Sequence, residues 1–245
     1  MASLGVVGEL AGLVLAVERA HPVRVVIDGP SAAGKTTLAD ELAVVLGERS
    51  DREVIRVGLD YFKTAPALRT RYPIESPESY YYEMSDLDAI VSKLLLPLGP
   101  GGDRRYVSGM RTSNAQTALD VPVETAAIDA VLVADGCFSL RPELVDHWDF
   151  RIYVHVDFDV VLRRGTERDQ AWMDSAAAAE ERYRTRYIPG ERLYVDQVDP
   201  QSLADLVVDN TDFERPVLTG DPGRRPGVDG INRMPSASTA RQGRS

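Results

Sequence analysis

Cysteine is nearly absent: Cys137 is the only one in 245 residues. An intrachain disulfide is thereby excluded, and a lone thiol suits a reducing compartment. Histidine is scarce too. His21, His147 and His155 show no metal-ligand spacing, so neither a zinc nor an iron site is suggested. Basic residues are outnumbered, with 28 Lys and Arg against 38 Asp and Glu and a net charge of −10. That balance argues against a nucleic-acid-binding surface. A long apolar run is also missing, so no segment reads as a bilayer span. The apolar stretch from Leu4 to Val17 contains Glu9 and lacks both a basic leader and a small-residue cleavage pattern. It reads as an amphipathic helix rather than a signal peptide. The expectation is a soluble cytoplasmic protein with neither nucleic acid nor membrane as partner.

What is present is a phosphate loop. Gly29, Pro30, Ser31, Ala32, Ala33, Gly34, Lys35 and Thr36 spell G-x-x-x-x-G-K-[ST], with Thr37 behind them. An apolar run from Val23 to Ile27 precedes the motif, and an amphipathic stretch from Leu38 to Leu46 follows it. This strand–loop–helix context gives the pattern its meaning. Glycines let the backbone curl so that successive N–H groups face an anion, and the helix start adds its positive end. Lys35 supplies a point charge for β- and γ-phosphates, and Thr36 a hydroxyl for Mg²⁺. A chance glycine-rich turn is the bland alternative, and the flanks argue against it.

Strand-like runs fall at residues 23–28, 53–59, 130–134, 150–156 and 206–209, most of them short, continuous and rich in Val and Ile. Strands buried on both faces have that composition. Helical patterns at 35–46, 86–96, 141–146, 160–168 and 174–187 alternate with them. The alternation predicts an α/β, three-layer P-loop fold: a parallel five-stranded sheet with helices on both faces, plus a helical lid. Residues 1–20 read as an N-terminal amphipathic helix and 21–215 as the kinase-sized domain. Residues 216–245 are dominated by Gly, Pro, Ser and Arg and read as a disordered tail. The long connections at 60–84 and 97–123 follow strands, where ligands of open α/β sheets bind.

A P-loop alone does not separate a kinase from a switch or a motor, so the other charged positions matter. Asp60 stands just past the second strand and could take the proton of a substrate hydroxyl attacking the γ-phosphorus. Asp135 ends the third strand, where a carboxylate supporting Mg²⁺ belongs. Each also has a structural alternative as the first residue of a turn. Arg164 and Arg168 are four apart and share one helical face, suited to polyphosphate oxygens. Arg163 is their neighbour, and Arg182, Arg184 and Arg186 make a second basic cluster. A solvated, salt-bridged helix is the alternative for the first group, and the second cluster is the more ambiguous of the two.

The ordered set resembles the uridine kinase and phosphoribulokinase family of P-loop kinases. It comprises the P-loop, Asp60-Tyr-Phe-Lys63, Asp135-Gly-Cys-Phe138, Arg141-Pro-Glu-Leu144, Arg168-Asp169 and the run from Ala204 to Asn210. The resemblance spans residues 22–213. It implies a phosphotransferase with ATP on residues 29–37, Mg²⁺ near Thr36, Asp135 and Asp60, Asp60 as general base, and a lid carrying Arg164 and Arg168. Family members often carry Glu where Asp135 stands, so this shorter side chain would reach the ion through water. The implied acceptor is a small hydroxylated metabolite, in the first place a nucleoside such as uridine. Candidate contacts are Tyr61, Tyr106, Arg111, Arg163 and Arg186. The family's Tyr-Asp-Phe…His…Arg pattern is incomplete here: Tyr106 and Arg111 correspond, but the Asp and His are missing. Family members often assemble, so a homo-oligomer is a further expectation. Two other functions stay open: a kinase for a non-nucleoside alcohol, and a nucleotide-dependent switch or NTPase. For a GTPase, the guanine-reading Asn-Lys-x-Asp run is lacking, since Asn210-Thr211-Asp212 does not supply it.

Overall fold

A computed structural model describes residues 4–220. Five parallel strands form the centre: β1 (Val23–Asp28), β2 (Val54–Gly58), β5 (Val131–Asp135), β6 (Phe150–His155) and β7 (Leu206–Asp209). Alternation along them divides the core. Val23, Val25, Ile27, Val131 and Val133 pack to one side with α1 (Leu4–Leu15) and α2 (Lys35–Arg49). Val26, Leu132 and Ala134 face the other side, against Tyr80, Tyr81, Leu94 and Leu95. Covering both faces is what continuous Val/Ile strands require. The three-layer P-loop fold expected from the sequence is therefore present.

The sheet departs from expectation at one edge. Its order is β2-β5-β1-β6-β7-β8, and β8 (Val217–Thr219) pairs antiparallel with β7. The sheet thus has six strands rather than five, and residues 217–219, expected in the tail, form its border. Val217 and Leu218 were masked by the Gly- and Pro-rich composition that follows them. The disorder expected for 221–245 lies outside the described residues. At the other end, α1 places Val7, Leu10, Ala11 and Val14 in the same core as α2 and β1.

The helices between strands are less regular than their patterns. The 86–96 segment is α3 (Leu87–Ile90) running into a π turn at Val91–Leu95. The 141–146 helix is absent; buried Arg141 instead bonds the Tyr81 carbonyl, and a 3₁₀ turn follows at Val145–His147. The 174–187 pattern continues well past its expected end. There α5 (Ala176–Arg182), a π turn (Tyr183–Tyr187) and α6 (Ile188–Val198) follow without a break. Pro189 does not stop the chain because it stands in the first turn of α6, after the π turn. A two-stranded ribbon, β3 (Arg105–Tyr106) with β4 (Glu124–Thr125), closes off the second long connection. The lid helix α4 is Phe158–Asp169, and a short α7 (Pro200–Leu203) leads into β7. Among the described residues, no helix is long and apolar enough to cross a membrane.

Candidate active site

The site lies where β1 changes neighbours. β5 pairs on one side of β1 and β6 on the other, so a crevice opens beyond their carboxyl ends. The loop after β1 fills it. Gly29 has φ 148°, and a β-carbon there would lie 2.4 Å from the Val154 carbonyl oxygen. Gly34, at φ 91°, precedes α2 without a side-chain cap. The first-turn amides of α2 are thus left for an anion rather than for a capping oxygen. Lys35 is 8% exposed. Its ammonium donates to the Pro30 carbonyl at 2.7 Å and reaches Cys137 Sγ at 3.4 Å. Burial alone would lower the Lys35 pKa. The surrounding Cys137, Glu191, Asp135 and Asp28 outweigh that and raise it, so the charge is held firmly.

Register brings the acids to the same edge. Ile27 of β1 and Gly58 of β2 both stand beside Asp135 of β5. Thr36 Oγ1 donates to Asp135 Oδ2 at 2.6 Å, and Arg56 pairs with Asp135 Oδ1 at 2.8 Å. Asp60 sits in the short 3₁₀ turn (Leu59–Phe62) that follows β2, with its side chain 59% exposed and paired to Lys63 at 3.0 Å. Hard oxygen donors of this kind fit Mg²⁺, which takes one or two carboxylates and completes its shell with phosphates and water. Among the described residues no three His, Cys, Asp or Glu gather closely enough to hold a metal by themselves. An ion here would therefore share ligands with a bound nucleotide.

Two cavities meet at the loop. The first, about 560 Å³, lies between residues 32–37 and the lid residues Arg164, Glu167 and Arg168. The second, about 700 Å³, holds Asp60, Asp135, Cys137 and a group of cations. Ala32, Lys35, Thr36 and Arg168 line both. Arg168 owes its place to a fixed lid end. It forks onto Asp169 at 2.7 and 3.1 Å, and Tyr183 donates to the same carboxylate at 2.8 Å.

The expected site residues divide under this geometry. Lys35, Thr36, Asp60, Asp135 and Arg168 come together. Arg164 faces the nucleotide-sized cavity, but its guanidinium donates to the Asn210 and Thr211 carbonyls and lies over Phe213. It anchors the loop after β7. Of the expected acceptor contacts, only Arg186 lines the second cavity. Tyr106 is 4% exposed and packs in the core, with its hydroxyl near Glu124. Arg111 caps its own loop at the Ala115 carbonyl, Tyr61 packs against Gly58 and Gly109, and Arg163 is exposed on α4.

Sequence reasoning passed over one prominent group. Glu191 of α6 is buried behind the loop, and its Oε1 accepts from the Ser31 amide at 2.6 Å. Tyr80 donates to the same oxygen at 3.4 Å. Burial pushes the Glu191 carboxyl up to about 7, against the opposing pull of the Ser31 amide and Lys35. The helix expected over 174–187 stops short of Glu191, which left it outside every predicted element. Lys63, Arg69 and Arg182 were likewise given no role in the second cavity.

The fold is that of the P-loop kinases. A protein described as a possible uridine kinase from Bacillus stearothermophilus superimposes with TM-score 0.64 at 21% identity, covering 82% of this chain and 96% of that one. A candidate fructose transport system kinase from a Silicibacter species gives TM-score 0.63 at 20% identity, covering 78% and 94%. D-glycerate 3-kinase from Cryptococcus neoformans gives 0.55 at 13%, covering 87% and 99%. No protein-family model matches the chain, and no curated protein matches its sequence.

Proposed function

We propose that this protein is a Mg·ATP-dependent phosphotransferase that moves the γ-phosphoryl group to a hydroxyl of a small metabolite. One observation carries the reading: the loop cavity and the Asp60 cavity share Ala32, Lys35, Thr36 and Arg168 as a common wall. A donor and an acceptor placed in them would meet at a lysine and an arginine, the charges phosphoryl transfer requires. A switch or simple NTPase needs no second chamber of this size. The fold's likeness to kinases of small metabolites supports the same class.

In this mechanism the loop amides and Lys35 cradle the polyphosphate. Thr36 and Asp135 would hold Mg²⁺, which when bound neutralises charge on the phosphate oxygens. Asp60 accepts the acceptor's hydroxyl proton while the new O–P bond forms and the bond to the ADP oxygen breaks. Arg168, fixed by Asp169 and Tyr183, faces the charge that spreads between the cavities. A nucleoside such as uridine is the acceptor suggested by the family resemblance, although Tyr106 and Arg111 do not line the chamber. Such an enzyme would work in the cytoplasm, where its donor is abundant. The test is ADP release in the presence of Mg·ATP and a panel of small alcohols. Release that rises only with an acceptor supports the reading, and release indifferent to every acceptor overturns it.

A further inference from the structure

The acceptor chamber is basic although the protein is acidic overall. Arg69, Arg182 and Arg186 all line it, and Glu75 stands among them. A single Glu75 oxygen serves two guanidiniums, Arg182 at 2.6 Å and Arg186 at 3.4 Å. Arg186 is 5% exposed and lies over the Tyr80 and Tyr187 rings. Its Nε has no hydrogen-bond partner among the described residues. Arg69 turns Nε and Nη2 onto the Thr64 carbonyl at 3.0 and 2.6 Å, a neutral acceptor. Burial, followed by the charge of Arg186, lowers the Arg69 pKa, so the two cations feel one another. Gathering like charges in a half-buried pocket is costly without an anion to meet them.

We propose that the acceptor substrate carries an anionic group, a carboxylate or a phosphate ester, bound by Arg69, Arg182 and Arg186 while its hydroxyl lies toward Asp60. This rests on the phosphotransferase reading, and it replaces a neutral nucleoside with an acidic alcohol. Guanidiniums match both oxyanions through paired, charge-assisted N–H donors, whereas the hydroxyls of a neutral sugar accept singly and bring no charge to offset the cluster. Asp60 lines the same chamber as the three arginines.

The test measures binding apart from turnover. The protein is saturated with Mg²⁺ and a non-hydrolysable ATP analogue, then titrated calorimetrically with matched probes: glycerol, glycerate and glycerol 3-phosphate, and ribose with ribose 5-phosphate. At least one anionic probe should bind about tenfold or more tightly than its neutral partner, and binding should weaken with added salt. Comparing glycerate with glycerol 3-phosphate separates the two anion classes. Arg186→Gln and Arg69→Gln should each weaken that binding about tenfold to a hundredfold. Arg182→Gln, on a partly exposed side chain, serves if a buried variant misfolds. Equal affinity for neutral and anionic probes, or no effect of these variants, overturns the proposal. Arginine-dependent anion binding, with no phosphoryl transfer to any acceptor once Mg·ATP replaces the analogue, would keep the anion pocket and overturn the kinase reading.

Discussion

Thr36 at the start of α2 gives its hydroxyl proton to Asp135 at the end of β5, across 2.6 Å. This contact joins the phosphate loop to the strand edge that carries the acids. With its proton committed to Asp135, the Thr36 oxygen keeps its lone pairs for a cation. Asp135→Asn should therefore raise the Mg²⁺ concentration for half-maximal rate by about tenfold to a hundredfold. Nucleotide affinity measured without Mg²⁺ should change far less. Magnesium titrations of the initial rate check this; an unshifted midpoint would remove Asp135 from the ion's surroundings.

Asp60 is exposed, and its ion-pair partner among the described residues, Lys63, is also held by the Ser113 carbonyl, so replacing Asp60 should not disturb the fold. Asp60→Asn should lower kcat by about a hundredfold or more, since a positioned base contributes that much. Affinity for Mg·ATP should stay near the parent value. Rates at saturating acceptor, with calorimetry for the nucleotide, separate the two effects.

Glu191 makes stability depend on pH. Its folded pKa, about 7, lies above the ordinary value of 4.5. The folded protein therefore holds that proton more tightly than the unfolded chain. The resulting stabilisation is complete below the unfolded value and is lost as pH rises through about 7. Thermal unfolding of the parent relative to Glu191→Gln, followed from about pH 5 to pH 8, should show the parent losing ground as pH rises. A difference independent of pH would mean that Glu191 does not titrate in this range.

The lid depends on a missing side chain. A β-carbon on Gly165 would lie 2.1 Å from Tyr183 Cζ. Tyr183 is fully buried and its hydroxyl is tied to Asp169, so the ring has little room to yield. Gly165→Ala should cost about 1–3 kcal/mol by overpacking. It should also lower the rate by displacing Arg168. Urea unfolding and steady-state kinetics measure the two losses.

The central sheet was legible because β1 and β5 are buried runs, and β2, β6 and β7 are short apolar-rich runs in which half-buried residues fall among the buried ones. The ordered loop, Asp60 and Asp135 followed because strand ends in such sheets face the ligand. The acceptor wall was not legible in the same way. It is assembled by the folded-back connection 60–84 and by the continuous helical run from Ala176 to Val198, whose π turn shifts the helical phase. Periodicity assumes an unbroken turn, so it could not tell which arginines of 182–186 face the chamber: Arg186 was expected there, and Arg182 stands beside it. Tyr106 fits a sequence pattern, but the ribbon with Glu124 turns it into the core. The Arg164 spacing was read correctly as one face with Arg168, yet the carbonyls of residues 210 and 211 claim its guanidinium.

The most direct measurement follows the γ-phosphoryl group itself. ATP labelled at the γ-phosphorus is mixed with the protein, Mg²⁺ and small alcohols, with Lys35→Ala as the control. The expected result is label in an organic phosphate ester, little inorganic phosphate, and no transfer by the variant. Label released only as inorganic phosphate, at a rate blind to the alcohols, would contradict the joined donor and acceptor chambers as a site of phosphoryl transfer.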